Sequence, residues 1–443
     1  MPKRSTHFTL STPQIIVLGF AAVIFLGALV LMLPVSSTQG VVTPFRDALF
    51  TATTSVCVTG LVVRDTGTYW SLFGQSVILV LIQIGGLGVV TVVSAVTMLS
   101  GRKISLMQRS TMQEAVAAPQ VGGIVRLTGF ILKTTLAIEL LGAALLAIVF
   151  CRDFGPLRGL WMALFHSVSA FCNAGLDLMG IREPYSSLTS YGSDPLVNLT
   201  VMALIISGGI GFLTWDDIRV HKFRLHKYRM QSKVILTATA ALIGIPAVLL
   251  FLLEFSNMPL PQRVLSALFQ AVTPRTAGFN TADLTAMSES GQMMTIVLML
   301  IGGSPGSTAG GMKTTTFAVI VLCAIAVFRK REAPQAFGRR ICPETVSTAA
   351  TLAALYVCIP LVCAMILSRV EALPFLTCFF ETTSAVATVG LSLGITPTLS
   401  PLSHWILMAL MYLGRVGGLT LIYAAWSGKP QPGRLPLEKI TVG

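Results

Sequence analysis

The chain carries four versions of the stretch Phe50-Thr-Ala-Thr-Thr-Ser-Val-Cys-Val-Thr-Gly60-Leu61, about a hundred residues apart. The other three occupy residues 165–176, 269–279 and 380–391. Each version begins with Phe, continues through small and hydroxylated residues, and ends with Gly followed by a large apolar residue. A segment that recurs at this spacing predicts four copies of one structural unit.

The composition is that of an integral membrane protein. Of 443 residues, 53% are hydrophobic and only 11% are charged, whereas about a quarter of the residues in a soluble domain are charged. The net charge of +13 would suit nucleic-acid binding. The basic residues, however, lie between long apolar runs, where the positive-inside rule places them. We therefore expect membrane lipid around the chain and no nucleic-acid partner.

Neither the cysteines nor the N-terminus indicates a secreted or metal-binding protein. The eight cysteines are scattered, without a Cys-x-x-Cys pair or His partners at metal-site spacing, so no disulfide or metal site is predicted. The apolar run 12–34 is too long for a signal peptide and lacks a cleavage pattern. We expect it to be a retained membrane helix.

Long apolar runs flank each repeated stretch, so each unit reads as long helix, short re-entrant segment, long helix. Four such units predict an all-α integral membrane protein with eight transmembrane helices around a pseudo-fourfold central pore. Glycines interrupt the second run of every unit, but we expect a broken helix only in the third, at 302–313. The predicted boundaries are 1–11 for the N-terminal segment, 12–100, 101–218, 219–328 and 329–426 for the four units, and 427–443 for the tail.

The distribution of basic residues predicts the orientation. Most of the 31 Lys and Arg lie near the N-terminus, in the connections between units and in the tail. Both termini are therefore expected in the cytoplasm, and the repeated stretches are expected to enter the membrane from outside.

The repeated stretches are predicted to form an ion filter. Ten helical residues span about 15 Å, which reaches only the middle of the membrane. Non-helical backbone at that depth must be buried or line an aqueous cavity, and carbonyls before each Gly can replace the hydration shell of a monovalent cation. Interfacial turns with Gly for geometry alone are the alternative, which four copies disfavour. The candidate filter residues are Val58, Thr59, Gly60, Asn173, Ala174, Gly175, Thr276, Ala277, Gly278, Thr388, Val389 and Gly390.

These stretches resemble the Trk/Ktr/HKT superfamily of potassium transporters. The matching motifs are Val58-Thr-Gly-Leu61, Phe171-Cys-Asn-Ala-Gly175, Thr273-Pro-Arg-Thr-Ala-Gly-Phe-Asn280 and Ala387-Thr-Val-Gly-Leu391. Within the superfamily, the chain is most similar to the KtrB membrane subunits, because it has no extra helix pair before the first unit. The resemblance implies potassium-selective uptake across a bacterial plasma membrane, with Gly60 as a potassium-type filter glycine.

The resemblance also implies the partners. They are a second copy of the chain in a homodimer, with one pore per subunit, and a cytosolic RCK-type regulatory ring similar to KtrA, which would carry the nucleotide. No cofactor is expected in this chain. Potassium is the expected substrate, and sodium as an activator is left open.

A gate is predicted below the filter. Five Gly and one Pro between residues 302 and 312 disfavour a continuous helix, and the resemblance places an intramembrane gate loop here. A kinked helix is the alternative. Residues 302–313 are called the gate loop below. The candidate gate residues are Gly302, Gly303, Gly306, Gly310, Gly311, Lys313 and Arg415.

Arg415 lies within the last apolar run, where a charge costs at least ~2.5 kcal/mol. We expect it to oppose potassium below the filter, or alternatively to hold helices together through carbonyls or Glu139. Arg275 is expected to brace the third filter loop. Glu381 is expected to open the fourth pore helix, where its negative charge suits the helix dipole.

Two other function classes are weighed against a channel-like pathway. A cation-coupled secondary transporter with alternating access usually has inverted repeats and intramembrane carboxylates, whereas these repeats share one orientation and carboxylates are scarce. An intramembrane enzyme would need a catalytic set of polar residues, and His166 and His404 stand alone.

Overall fold

The computed structural model describes residues 11–99, 106–116, 122–418 and 420. Residues 1–10 of the predicted N-terminal segment and the predicted tail 427–443 lie outside this range. The described chain is almost entirely helical, as predicted. Its one hairpin pairs β1 with β2, which are Gln335–Ala336 and Arg339–Arg340, antiparallel.

The first two units have the same sequence of elements: a long helix, a pore helix, and a second segment made of two helices. Unit one contains α1 Thr12–Leu31, the pore helix α2 Phe45–Cys57, α3 Leu72–Leu87 and α4 Val89–Leu99. After α5, Leu106–Val116, unit two contains α6 Ile124–Phe154, the pore helix α7 Pro156–Phe171, α8 Pro195–Gly209 and α9 Phe212–His221.

Unit three follows the same order, and the described part of unit four has one helix in its second segment. Unit three contains α10 Met230–Leu253, the pore helix α11 Leu260–Val272, α12 Glu289–Leu300 and α13 Thr314–Phe328. Unit four contains α14 Pro343–Glu371, the pore helix α15 Phe375–Val386 and α16 Pro401–Val416. The four first helices (α1, α6, α10 and α14) are each long and apolar enough to cross a membrane.

The expectation that only the third unit has a broken helix is wrong. The pairs α3–α4 and α8–α9 are each bent by 97°. The bends fall at Gly88 and Gly211, whose φ angles are 86° and 88°, and Gly417, directly after α16, has a φ of 92°. A single Gly in this left-handed region is enough to turn the chain out of the helix, because other residues resist that conformation.

The pore helices are longer than predicted. They begin five to nine residues before the repeated Phe and contain 12 to 16 residues. Proline explains the earlier starts: Pro44, Pro259 and Pro374 precede three of the helices, and Pro156 is the first residue of the fourth. Proline suits a helix start because its fixed φ and missing N–H cost nothing there.

In units one, two and four, the second segment packs closely against the pore helix of its own unit. A Cβ atom placed on Gly85, Gly208 or Gly414 would collide with a carbonyl oxygen near the end of the pore helix. The carbonyls belong to Val56, Phe171 and Val386, which are each four residues before a filter glycine. The repeat therefore extends beyond the filter to the helices that surround it.

Candidate ion filter and gate

The four filter segments share an unusual backbone conformation. Val58, Asn173, Thr276 and Thr388 have φ angles of 54°, 57°, 69° and 52°. Two residues later, Gly60, Gly175, Gly278 and Gly390 have φ angles of 99°, 67°, 79° and 91°. A left-handed conformation is rare for β-branched residues such as Val and Thr. Strained backbone concentrates at functional sites, so its recurrence in all four units indicates a site that the units build together.

The four glycines form a closed ring. A Cβ atom on Gly60 would lie 2.8 Å from the carbonyl oxygen of Ala174, and one on Gly175 would lie 2.7 Å from that of Ala277. In the same way, Gly278 faces the carbonyl of Val389, and Gly390 faces the carbonyl of Thr59. Each glycine thus abuts the residue before the glycine of the next unit, and unit four returns to unit one. A side chain at any of these glycines would displace a carbonyl.

A hydroxyl residue, always four residues after the repeated Phe, hydrogen-bonds to the backbone of each filter glycine or of the residue that follows it. The Gly60 N–H donates to Thr54 Oγ1 at 2.9 Å, and the Gly390 N–H donates to Ser384 Oγ at 3.0 Å. Ser169 Oγ donates to the Leu176 carbonyl at 2.6 Å, and Thr273 Oγ1 donates to the Phe279 carbonyl. Sequence reasoning noted only that the stretch is rich in hydroxyls. The constant position of these four was the signal that it missed.

Several buried oxygen atoms of the filter have no hydrogen-bond partner in the protein. They are Thr59 Oγ1, Asn173 Oδ1, Thr276 Oγ1 and Thr388 Oγ1. Buried polar atoms are normally satisfied, and oxygen dipoles in a filter are the ligands that replace the hydration shell of a monovalent cation. These four oxygen atoms are therefore suited to coordinate such a cation.

Glu381 was expected to open its pore helix, but it does not. The helix begins at Phe375, so Glu381 lies in its middle. Its carboxylate accepts hydrogen bonds from Ser392 Oγ at 2.8 Å and from Thr396 Oγ1, and it therefore holds the loop that follows the fourth filter segment. At the equivalent position of unit two, His166 Nε2 accepts a hydrogen bond from the Leu178 N–H at 3.3 Å.

The gate loop lies against the filter segments of units two, three and four. Ser304 N–H donates to the Gly209 carbonyl at 2.9 Å, which joins the loop to α8. A Cβ atom on Gly311 would lie 2.8 Å from the Ala387 carbonyl, and one on Gly310 would collide with Thr388 Oγ1. The glycines therefore allow the loop to approach the filter more closely than any side chain would permit.

Arg415 connects its own helix, α16, to the gate loop and to α3. Its guanidinium donates hydrogen bonds to the Thr308 carbonyl of the gate loop and to the carbonyls of Gly85 and Gly86 in α3, the last at 3.0 Å. Glu139, considered above as a partner, instead accepts a hydrogen bond from Gln83 Nε2 at 3.3 Å. None of the ion pairs of the described residues includes Arg415.

Lys313 and Arg275 also bind the gate loop or its ends. Lys313 Nζ donates to the Ala309 carbonyl at 2.9 Å. Arg275 donates to Thr239 and Thr314 Oγ1, both at 3.3 Å, and Thr314 Oγ1 donates to the Gly302 carbonyl at 2.9 Å. Arg275 thus connects the third filter segment to both ends of the loop. A cavity of about 480 Å³ borders the loop and Arg415.

Comparison with known proteins agrees with this architecture. Residues 3–433 match the family model of TrkH, described as a cation transport protein. The potassium/sodium uptake protein NtpJ of Enterococcus hirae is 38% identical, with 95% of this chain and 94% of the relative covered. The Ktr system potassium uptake protein B of Bacillus subtilis is 40% identical over 93% of this chain and 92% of the relative.

The comparison with solved structures concerns the fold. The crystal structure of the potassium transporter TrkH from Vibrio parahaemolyticus superposes with a TM-score of 0.71 at 19% identity, with 95% of this chain and 86% of that chain covered. The family match and the relatives confirm, over almost the whole sequence, the resemblance seen in the filter motifs. The chain belongs to the TrkH family of cation transport proteins, and is a multi-pass membrane transporter rather than an enzyme.

Proposed function

We propose that the chain is a potassium-selective uptake pathway in a bacterial plasma membrane. The observation that carries this proposal is the closed ring of four filter glycines and four carbonyls. Carbonyl dipoles at a narrow constriction stabilise a dehydrated monovalent cation. The names of relatives 36–40% identical to the chain, which describe uptake of potassium or of potassium and sodium, support the same ion class.

The twelve filter residues given above are the proposed ion-binding residues, and the gate loop with Arg415 is the proposed gate. The loop lies directly against three filter segments and carries the carbonyl that Arg415 binds. A cation in the conduction path would raise the electrostatic barrier to potassium. Movement of the gate loop would do two things at once: it would move the loop backbone out of the conduction path, and it would break the hydrogen bond between Arg415 and Thr308.

The orientation and partners belong to the same proposal. Both termini would be cytoplasmic, because the basic connections lie on that side, and the unit boundaries would be those predicted above. A homodimer with one pore per chain would bind a cytosolic RCK-type ring, similar to KtrA, that senses the nucleotide. Relatives named as protein B of a Ktr system support a second component. Sodium would act as an activator.

Rubidium flux into liposomes tests the transport proposal. Purified protein is expected to admit rubidium, and external potassium should block this uptake at concentrations at which sodium does not. Uptake that persists in proton ionophore and without a sodium gradient would exclude the alternative, a cation-coupled secondary transporter. Equal permeation of sodium and potassium would contradict the proposed selectivity of the filter.

Light scattering of the purified protein tests the proposed dimer. A dimer requires a protein mass of twice the 47.2 kDa of one chain.

A further inference from the structure

Thr308 is the residue through which the gate loop meets its surroundings. Its N–H donates to the Gly208 carbonyl of α8 at 3.2 Å. Its hydroxyl donates to the carbonyl of Phe171, at the end of the second pore helix, at 2.9 Å. Its carbonyl accepts from Arg415. The side chain is fully buried, so the position of the loop depends on this residue.

Asn173, in the second filter segment, also binds Thr308. Its Nδ2 donates to Thr308 Oγ1 at 3.1 Å. Because the single hydroxyl proton of Thr308 already goes to Phe171, only a donor can approach Oγ1 from the filter side. This fixes the orientation of the amide, with Nδ2 toward the loop and Oδ1 away from it. Oδ1 is buried and has no partner in the protein.

The second unit is the only one with this connection. The equivalent residues of the other units are Val58, Thr276 and Thr388. Among the described hydrogen bonds, the one from Asn173 to Thr308 is the only bond that joins a side chain of the twelve filter residues to the gate loop. The departure of the second filter segment from fourfold symmetry thus coincides with its contact to the gate.

We propose that Asn173 and Thr308 couple ion occupancy of the filter to closure of the gate, an inference that rests on the filter and gate proposed above. A cation held by Oδ1 would polarise the amide and make its N–H a stronger donor to Thr308, since linked hydrogen bonds strengthen one another at low dielectric. Coupling between two equilibria is reciprocal. A closed gate therefore tightens ion binding at Asn173, and gate opening weakens it.

Three variants test the coupling through rubidium uptake in liposomes. Thr308→Val keeps the shape of the side chain but removes the hydroxyl, and Asn173→Thr gives the second filter segment the residue of the third and fourth. Each variant is expected to raise the maximal flux and to raise the half-saturating rubidium concentration, by about 2- to 10-fold, the range expected for one hydrogen bond. Thr308→Ser keeps the hydroxyl and should behave as wild type.

The double variant separates coupling from simple loosening of the gate. With Asn173→Thr already present, Thr308→Val should produce no further change in the half-saturating concentration, since the bond between Asn173 and Thr308 is already lost. An increase in maximal flux with an unchanged half-saturating concentration would overturn the inference and leave the transport proposal intact. So would strictly additive effects of the two substitutions. A wild-type protein without rubidium uptake would overturn the transport proposal and this inference with it.

Discussion

Gly390 of the fourth unit closes the ring against Gly60 of the first, although 330 residues separate them in sequence. A Cβ atom on Gly390 would lie 2.7 Å from the Cα atom of Gly60. The filter is therefore one structure to which each unit contributes a quarter. A change in any one glycine is expected to affect the carbonyls of its neighbours as well as its own.

Gly60→Ser is expected to reduce potassium selectivity at least about tenfold, since a shift of 1.4 kcal/mol in relative ion binding suffices for that change. Its Cβ would press on the Ala174 carbonyl at a φ of 99°. Competition of potassium and sodium for rubidium uptake measures the effect. Gly40→Ser is the matched control, because Gly40 also has a positive φ, of 67°, but has nothing within 4 Å of its Cβ position. Unchanged selectivity in Gly60→Ser would contradict the role of the ring.

Arg415→Ala is expected to raise rubidium flux several-fold without loss of selectivity. The substitution removes a cation near the conduction path and three hydrogen bonds that hold the gate loop to α3. Initial rates of uptake at equal protein density measure the change. Arg158→Ala, at an exposed position in the first turn of α7, controls for loss of positive charge. Unchanged flux in a correctly folded Arg415→Ala protein would show that Arg415 only holds helices together.

Gly85→Ala is expected to destabilise the protein by about 1–3 kcal/mol, the usual cost of inserting a methyl group into a packed interior. The new methyl would collide with the Val56 carbonyl. Gly244→Ala, in the middle of α10 with nothing within 4 Å, should instead stabilise its helix by up to about 1 kcal/mol. Thermal unfolding in detergent compares the two variants. Equal melting temperatures would show that α3 does not need to lie so close to the pore helix.

Thr54→Val is expected to weaken selectivity because the Gly60 N–H loses its acceptor at 2.9 Å. An unsatisfied buried N–H costs about 1–3 kcal/mol, which the filter can relieve by changing shape. Thr53→Val on the same helix is the control, because Thr53 Oγ1 binds only the Leu49 carbonyl of its own helix. Selectivity should fall in the first variant and stay unchanged in the second. Equal selectivity in both would show that the hydroxyl is not needed for the shape of the filter.

The sequence predicted that the four repeated segments lie together, because all four are restrained in the same way. Each unit has a left-handed residue followed two positions later by a glycine, so the same pattern was visible four times. The positions of Gly60, Gly175, Gly278 and Gly390 were all correctly predicted to come together. The gate loop was predicted from its glycines and Pro305, and it does interrupt the helix.

The breaks in the other second segments were not predicted, for a physical reason. The prediction relied on the summed helix propensity of many Gly and Pro residues. In units one and two a single left-handed residue, Gly88 or Gly211, makes the bend. Helix propensity gives the free energy that a glycine costs within a helix, but it does not say which φ angle the glycine adopts. That choice depends on the packing of the units around the pore.

The link from Asn173 to Thr308 also was beyond sequence reasoning. The two residues are 135 positions apart, and neither belongs to a pattern that would pair them. The sequence did show that Asn173 breaks the symmetry of the filter. The structure adds that its amide binds the gate loop. A departure from the internal repeat therefore marked the residue whose side chain binds the gate loop.

The ion selectivity of purified wild-type protein in liposomes tests the central claim most directly. Rubidium uptake is measured with external potassium or sodium as competitor, and again with Gly60, Gly175, Gly278 or Gly390 replaced by Ala. A shared ring predicts strong competition by potassium, weak competition by sodium, and loss of this difference in all four variants. Competition by sodium equal to that by potassium in the wild type, or full selectivity in any of the four variants, would contradict it.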